Sequence, residues 1–228
     1  NVQKNLASAV ATSTQATQAY ISAEQARQKI DAAIGKQRTA FNEAEIDTLI
    51  QLAQEGKVDI AVVGNEVLMR NDIPLAELIG YIDRFKKAAP NVPVGYVDAY
   101  YIFHQELSLI DICDVILINC YPFWEGSTIE NATAYLDIMH ASTVKIAKGK
   151  RVIVTETGWP NAGQINKGAV PSEENAIRYF VNTQNWAKSK GVESFYFSSF
   201  DESWKVQQEG SVGNRWGLWD SNEIQKYS

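Results

Sequence analysis

Two glutamates each follow a short apolar run of the sequence. Glu66 stands in VVGNEVL (62–68), and Glu156 stands in VIVTETGWP (152–160). An apolar run of this length predicts a buried strand, so each carboxyl group is expected at a strand end, which is a rigid mount for a reactive side chain. Cleavage of a glycosidic bond requires two carboxyl groups, one that protonates the leaving oxygen and one that attacks or activates water. Glu66 and Glu156 are therefore a candidate catalytic pair.

Other side chains suited to sugars lie near the same predicted strand ends. Asn65 precedes Glu66 and could hydrogen-bond a sugar hydroxyl. Aromatic rings, whose faces stack on sugars, follow several of the predicted strands: Tyr101, Tyr121, Phe123, Trp124, Trp159 and Trp204. A simpler interpretation treats the glutamates as solvated loop residues and the rings as the edge of a core. The coincidence of both sets favours a glycosidase, and the residues alone leave both interpretations open.

The elements that must position these side chains alternate between strand and helix. Short apolar runs predict six strands, at 19–22, 60–63, 93–97, 114–119, 151–156 and 194–200. Most runs are apolar on both faces, as in parallel strands covered by helices, which leaves an open doubly wound sheet or an α/β fold of the (β/α)8 TIM-type barrel. The barrel is favoured because polar residues follow several separate strands, and barrels place their sites at that rim. We predict one domain over residues 1–228, with two strands fewer than a complete barrel.

The segments between the predicted strands have helical periodicity. Residues 1–16 predict a helix with Val2, Leu6, Ala9 and Val10 on one face. Later helices are predicted from Asn42 with a capping box to Glu45, from Pro74, around 106–110, through Ile129, Ala132, Leu136 and Met139, and from Ser172 with Ile177, Phe180 and Val181 turned inward.

Composition and charge limit the class of protein. A formal net charge of −6 argues against nucleic acid or an anionic membrane surface as the partner. No run of about 18 apolar residues occurs, so we expect no membrane insertion. Cys113 and Cys120 share one apolar run and are expected as buried, reduced thiols. His104 and His140 lack the spacing of paired ligands, so we expect no metal site.

Four stretches occur in the order found in a known enzyme family: VVGNEVLMRND, INCYPFWEG, VIVTETGWPNAG and FDESWK. Together they resemble glycoside hydrolase family 17, the β-1,3-glucanases and related glucanosyltransferases, over most of the chain from Ala19 to Asp220. The resemblance implies a (β/α)8 barrel, a retaining mechanism, and no metal or organic cofactor. It also implies that the glutamate of GNE is the acid/base and that of ETGWP the nucleophile, which are Glu66 and Glu156 here.

The same resemblance interprets the strand count. In the wider clan of this family the acid/base ends the fourth strand and the nucleophile ends the seventh, and Glu66 and Glu156 end the second and fifth predicted strands. Residues 19–22 would then be the third strand of the barrel, and strands one and two are expected upstream of Asn1. A sheet without two of its strands would have open edges. We therefore expect a second chain or fragment to complete the barrel.

The resemblance extends to side chains around the catalytic pair. The FDESWK stretch implies that Glu202 and Lys205 lie near the catalytic carboxyls, with a surface ion pair as the alternative. Tyr121 matches a tyrosine beside the nucleophile, and its hydroxyl is expected to orient Glu156. The residues expected to contact substrate are Asn65, Tyr101, Tyr121, Phe123, Trp159, Glu202, Trp204 and Lys205. For Trp159 and Trp204, packing beneath the site remains an alternative to a sugar subsite.

Three functions fit this set of residues. An endo-acting hydrolase of β-1,3-glucan, of the laminarin-degrading type, is favoured. A β-1,3-glucanosyltransferase differs only in whether water or a sugar accepts the glycosyl group, and a non-catalytic β-glucan-binding protein is the third. The expected partner is a β-1,3-glucan polysaccharide or oligosaccharide. Because such a polymer is too large to cross most membranes, a secreted, periplasmic or cell-surface location is expected, although no signal peptide is visible in these residues.

Overall fold

The structure separates the chain into a helical part and a sheet-containing part. A computed structural model describes residues 2–227, with side chains for 22–30 and 32–227. The two compact units are Asn1–Gln51 and Leu52–Ser228, and each is described by itself. Helix α1 spans Val2–Gln54. No helix in the described part of the chain is both long and apolar enough to cross a membrane.

Helix α1 corrects two predictions. Residues 19–22, predicted as a strand, are helical, and the helix predicted to begin at Asn42 is an interior part of α1. The physical reason is that residues 2–34 contain no glycine or proline and are rich in alanine and glutamine, so nothing interrupts the helix. The helix predicted over residues 1–16 is confirmed for 2–16, while its predicted apolar face lies outside the described side chains.

The second unit contains a parallel sheet whose strands alternate with helices. The strands are β1 Ala61–Asn65, β2 Val94–Ala99, β3 Val115–Asn119, β4 Val152–Thr157 and β5 Ser194–Tyr196. They pair in the order β1-β2-β3-β4-β5, and every neighbouring pair is parallel. Sequential parallel strands with intervening helices are the arrangement of a (β/α) barrel. Residues 2–227 contain a partial one, with five strands rather than the predicted six. Glu66 and Glu156 still follow strands three apart, β1 and β4.

Helices fill the connections between the strands. Their bounds are α2 Leu75–Ala88, α3 Tyr100–Gln105, α4 Ser108–Ile112, α5 Ile129–Ile146, α6 Glu173–Lys190 and α7 Val206–Glu209, with 3₁₀ turns at Ser203–Lys205 and Gly210–Val212. The four inward positions predicted for α5 are all buried. Pro74 precedes α2 as predicted.

Helix α6 begins where the sequence predicts but turns a different face inward. The backbone N–H of Asn175 donates to Oγ of Ser172 at 3.1 Å, which confirms the cap. Ile177 and Val181, however, are 40% and 47% exposed. The buried face consists of Ala176, Tyr179, Thr183, Trp186 and Ala187. This face is buried because it carries the larger rings and because the hydroxyl of Tyr179 forms a hydrogen bond with a residue of the sheet.

The two faces of the sheet differ in what they pack against. On the helix side, Tyr96 of β2 contacts the ring of Phe103 in α3, with centroids 6.1 Å apart. On the other face, Val97, Val115, Leu117 and Ile153 form a buried cluster, against which Ile60 packs. Because strand side chains alternate, Asn119 and Thr155 continue this second face toward the carboxyl ends of β3 and β4. The cluster is therefore the floor of the site described next.

Candidate active site

A register shift in β1 precedes the first glutamate. Val62 pairs with Gly95, but Asn65 pairs with Val97, so β1 contains one residue more than β2 between these pairs. Such a bulge interrupts the alternation of side chains and re-aims those that follow. Glu66 then adopts a left-handed backbone with φ of 55°, which is uncommon outside glycine. Its N–H donates to the carbonyl of Val97 at 2.8 Å, which fixes this conformation against β2.

A second register shift lies beside the other glutamate. Ile118 pairs with Val154 and Asn119 pairs with Glu156, so Thr155 is the additional residue of β4. Strict alternation from Thr155 would send Glu156 to the helix side of the sheet. The bulge instead lets Glu156 line the same cleft as Glu66.

The turn after Glu66 is held by two side chains of β2. The N–H of Leu68 donates to the hydroxyl of Tyr96 at 2.9 Å, and the N–H of Met69 donates to Oδ2 of Asp98 at 3.3 Å. The Tyr96 hydroxyl also donates to Asp98, which is fully buried. Burial raises the pKa of Asp98, and its hydrogen bonds from Tyr96, Ala99 and Met69 oppose that rise. A buried polar cluster therefore supports the position of Glu66.

The strand ends surround a cleft of about 560 Å³. Its lining contains the predicted site residues Asn65, Glu66, Tyr101, Tyr121, Glu156, Trp204 and Lys205. Further residues of the lining include Arg70, Asn119, Trp124, Glu125, Glu209 and Trp216. A volume of this size lies within the usual range for small-ligand sites.

Glu66 has an amide on one oxygen and a guanidinium near the other. Nδ2 of Asn119 donates to Oε1 of Glu66 at 2.9 Å and also lies 3.4 Å from Oδ1 of Asn65. Nη1 of Arg70 lies 3.6 Å from Oε2 of Glu66, and the Arg70 side chain is 46% exposed. An ion pair this exposed contributes little to stability. Because Oδ1 of Asn65 faces Asn119, the NH₂ group of Asn65 can donate to another acceptor in the cleft.

Glu156 has a different environment. The hydroxyl of Tyr121 donates to its Oε2 at 2.6 Å. Burial raises the pKa of the Glu156 carboxyl, the Tyr121 hydrogen bond opposes this rise, the charge of Glu66 adds to it, and the charge of Lys205 lowers it. Both glutamates line the same cleft. The arrangement supplies two carboxyl groups with separate partners, as glycosidic bond cleavage requires.

Comparison with known families identifies the family of this chain. A model of the BtgE/BtgC glycoside hydrolase domain matches residues 8–217. The chain belongs to this family of glycoside hydrolases. The prediction from the four sequence stretches is thereby confirmed at the level of family.

Individual relatives of this glycoside hydrolase match it by sequence and by structure. A glucan 1,3-β-glucosidase of Candida albicans is 34% identical over 192 residues, which cover 75% of this chain and 62% of the relative. A glycoside hydrolase family 17 β-1,3-glucanosyltransferase of Rhizomucor miehei is 32% identical with a TM-score of 0.72, covering 81% of this chain and 69% of that one. An active-site mutant of the Rhizomucor enzyme, in complex with laminaritriose, matches with 31% identity and a TM-score of 0.73 over the same shares of the two chains. The barrel prediction is confirmed as a partial barrel.

Lys205 lies at the centre of a charged group in this glycoside hydrolase domain. Its Nζ is 3.1 Å from Glu202 and 4.0 Å from Glu209, and it lies 3.9 Å from the centroid of the Phe197 ring. The Lys205 side chain is 14% exposed and lines the cleft, whereas Glu202 is not part of the lining. The structure thus brings Lys205 to the cleft as predicted and leaves Glu202 behind it as an ion-pair partner.

Glu209 is a cleft carboxyl that sequence reasoning missed. Nε1 of Trp216 donates to Oε2 of Glu209 at 2.8 Å. Burial raises the pKa of Glu209, and Lys205 opposes that rise. The signal that could have found it is its spacing four residues after Lys205, which puts the two side chains on one helical face.

Two aromatic residues predicted to contact substrate lie beneath the cleft instead. Phe123 and Trp159 are 0% and 1% exposed, and their ring centroids are 5.4 Å apart. The indole N–H of Trp159 donates to the carbonyl of Val170 at 3.0 Å, so its polar atom is also used. Neither ring is part of the cleft lining, which corrects the assignment of Phe123 as a substrate-binding residue and favours, for Trp159, the alternative of packing beneath the site. Trp124 and Trp204 are the exposed tryptophans of the cleft, at 43% and 58%.

Proposed function

We propose that this chain acts on β-1,3-glucan by a retaining mechanism, with Glu66 as acid/base and Glu156 as nucleophile. The observation that carries the proposal is that two strand bulges turn these glutamates into one cleft and give them different partners. Tyr121 donates to Glu156, which favours its carboxylate form. Glu66 has different partners: the amide of Asn119 donates to its Oε1, and the half-exposed guanidinium of Arg70 lies 3.6 Å from its Oε2.

The proposed reaction proceeds in two steps. In the first, a carboxylate oxygen of Glu156 bonds to the anomeric carbon while the bond from that carbon to the glycosidic oxygen breaks. The proton of Glu66 passes to the departing oxygen. In the second step Glu66 takes a proton from an incoming hydroxyl, whose oxygen displaces Glu156 from the anomeric carbon. Glu66 can act as the base in this second step because it gave up its proton in the first.

The β-1,3 linkage is supported by the relatives. The Candida relative is named for a β-1,3-glucan activity, and the Rhizomucor enzyme is described with laminaritriose bound. The chain spans 62% of the length of the Candida relative, so the activity of the whole protein is part of the proposal. The exposed rings of Trp124 and Trp204 in the cleft suit the stacking of glucosyl units.

Hydrolysis and glycosyl transfer use the same first step. Internal hydrolysis of a laminarin-type glucan is the activity we propose, and transfer to a second β-1,3-glucan chain is the alternative. The likeness to the Rhizomucor glucanosyltransferase favours keeping the second candidate. Incubation with laminarioligosaccharides separates the two, since only transfer yields products longer than the substrate. Because the polymer does not cross membranes, the proposal places the enzyme on the cell surface, in the periplasm or outside the cell.

The direct test is sugar release from laminarin by the chain beside Glu66→Ala and Glu156→Ala. We expect both variants to lose at least about 10²-fold in kcat/KM, because each removes a group that acts in the transition state. Glu174→Ala is the matched control, since Glu174 is exposed in the first turn of α6. Retention of laminarin without product release would indicate the glucan-binding alternative. Activity that survives Glu156→Ala would contradict the proposed mechanism.

A further inference from the structure

Asn119 joins the two catalytic strands through three polar contacts. It ends β3, is 3% exposed, and pairs in register with Glu156. Its Nδ2 donates to Oε1 of Glu66 at 2.9 Å and approaches Oδ1 of Asn65 at 3.4 Å. Its Oδ1 accepts from the hydroxyl of Thr155 at 2.8 Å. A buried amide with partners at both ends has little freedom to rotate.

The pattern of donors and acceptors selects one orientation of this amide. At one end lie two acceptor oxygens, of Glu66 and Asn65, which match the two protons of the NH₂ group. At the other end lies the hydroxyl of Thr155, which can donate to the carbonyl oxygen. The reverse orientation would set the carbonyl oxygen of Asn119 against the carboxylate of Glu66. That arrangement becomes favourable only if Glu66 carries its proton on Oε1 and donates it to Asn119.

We propose that Thr155, acting through Asn119, determines which oxygen of Glu66 carries the proton that is transferred. With its hydroxyl donating to Oδ1, Thr155 holds the NH₂ of Asn119 on Oε1 of Glu66. Oε1 is then an acceptor in both protonation states, so the proton resides on Oε2. In the first step of the reaction this proton moves from Oε2 to the glycosidic oxygen as the anomeric bond breaks. Thr155 and Asn119 are positioning residues in this inference, which rests on the proposed function for its kinetic consequence.

The extra residue of β4 gives the inference a structural basis. The bulge at Thr155 puts this hydroxyl and the Glu156 carboxyl beside Asn119 in consecutive positions. One short segment therefore carries the nucleophile and also orients the group on the acid/base. A valine at 155 would keep the branched shape and remove the donor. Asn119 could then turn over and accept a hydrogen bond from a proton on Oε1 of Glu66, which would keep that proton away from the leaving group.

The kinetic test compares two substrates that differ in their need for acid assistance. Laminarin has a sugar alcohol as its leaving group, whereas 2,4-dinitrophenyl β-laminaribioside releases a phenolate that needs no proton. We expect Thr155→Val to lower kcat/KM about tenfold on laminarin and much less on the dinitrophenyl substrate. Thr155→Ser, which keeps the hydroxyl, should show the same ratio of kcat/KM on laminarin to kcat/KM on the dinitrophenyl substrate as the parent chain. Thr143→Val serves as the packing control, because the Thr143 hydroxyl is buried and bonds only within α5 in the described contacts. Equal losses on both substrates would overturn the inference.

A spectroscopic experiment determines the orientation of the Asn119 side-chain amide and requires no measurement of activity. In ¹⁵N-labelled chain the side-chain amide protons of Asn119, assigned by their loss in Asn119→Asp, should show nuclear Overhauser contacts to Glu66 and Asn65. In Thr155→Val these contacts should weaken and contacts to residue 155 should appear, while Thr155→Ser should keep the parent pattern. Contacts from the amide protons to Thr155 in the parent chain would overturn the inference. If the parent fails on both substrates, the proposed function fails, and this measurement still tests the amide orientation.

Discussion

The hydroxyl of Tyr121 lies 2.6 Å from Oε2 of Glu156 and donates to it from the neighbouring strand end. Burial of Glu156 disfavours its carboxylate form, and this hydrogen bond is the largest effect in the opposite direction. A nucleophilic carboxylate must be ionised, and burial makes the ionisation of Glu156 less favourable. The hydrogen bond from Tyr121 offsets part of this cost. Substitutions of Tyr121 and Glu156 test this relationship, and substitutions of Gly64 and Trp204 test other parts of the site.

Tyr121→Phe should shift the acidic limb of the pH dependence of kcat/KM to higher pH. Removing the hydroxyl leaves burial less opposed, so the pKa of Glu156 rises further and a higher pH is needed to ionise it. A hydrogen bond to a charged group contributes about 1.5–3 kcal/mol, so kcat/KM at the optimum should fall about tenfold or more. Tyr81→Phe is the control, since the Tyr81 hydroxyl donates to Glu77 on α2 at 3.3 Å, away from the cleft. An unmoved acidic limb would argue against this role.

Glu156→Gln should make the fold more stable at neutral pH. The fold raises the pKa of Glu156 and therefore favours its protonated form. The stability that protonated Glu156 contributes is fully present below the unfolded-state pKa, about 4.3, and is lost as the pH rises through the folded-state pKa. Glutamine carries no charge and escapes this loss. Thermal unfolding at pH 7 should therefore give a higher Tm for Glu156→Gln than for the parent, and the difference should narrow toward pH 4. Glu174→Gln, an exposed site, should show no such pattern; a lower Tm for Glu156→Gln at pH 7 would count against the account.

Gly64→Ala should damage catalysis through the backbone before Glu66. Gly64 has φ of 85°, and an added Cβ would lie 3.3 Å from the side chains of Tyr96 and Val67. We expect a destabilisation of about 1–3 kcal/mol and a larger loss of kcat than the loss of folded protein explains. Gly80→Ala is the control, since Gly80 lies in α2 with nothing within 4 Å of the added Cβ. Activity and stability that stay at parent values in Gly64→Ala would show that the bulge does not position Glu66.

Trp204→Ala should weaken binding of glucan more than it slows the chemical step. The ring is 58% exposed at the cleft, where it can stack on a glucosyl unit that does not react. We expect KM for laminarioligosaccharides to rise about fivefold with a smaller change in kcat, because stacking of this kind contributes about 1 kcal/mol. Trp204→Phe keeps an aromatic face and should recover most of the affinity. A fall in kcat with an unchanged KM would place Trp204 outside a binding subsite.

Sequence reasoning located the reactive side chains because their signals are local. The apolar runs before Glu66 and Glu156 mark strand ends, and parallel strands bring those ends to one rim. The same logic found Tyr121 and Trp204, and the family resemblance of the FDESWK stretch found Lys205. All three line the cleft. Their catalytic and binding roles stay predictions until they are measured.

The features that escaped prediction depend on contacts between distant segments. Residues 19–22 are apolar enough for a strand, yet they lie in uninterrupted helix-forming sequence. The inward face of α6 is set by Tyr179, whose hydroxyl meets Thr157 of β4 at 2.6 Å. The burial of Phe123 and Trp159 likewise depends on packing that no run of sequence shows.

Sequence reasoning also missed the two bulges, although they orient Glu66 and Glu156 toward the cleft. A strict period of two in β4 would have turned Glu156 away from the cleft, and only the pairing of Asn119 with Glu156 reveals the extra residue. Gly64 before Asn65 was the one local sign of the bulge in β1, since glycine accommodates its positive φ.

The central claim is that Glu156 forms the bond to the glycosyl group, and trapping that intermediate tests it most directly. The chain would be incubated with a 2-deoxy-2-fluoro-β-laminaribiosyl donor carrying a dinitrophenyl leaving group, digested, and analysed by mass spectrometry. The account predicts one glycosyl adduct on the peptide that contains Glu156, and none in Glu156→Gln. An adduct on Glu66, Glu209 or any other residue, or turnover of the reagent with no adduct, would contradict it.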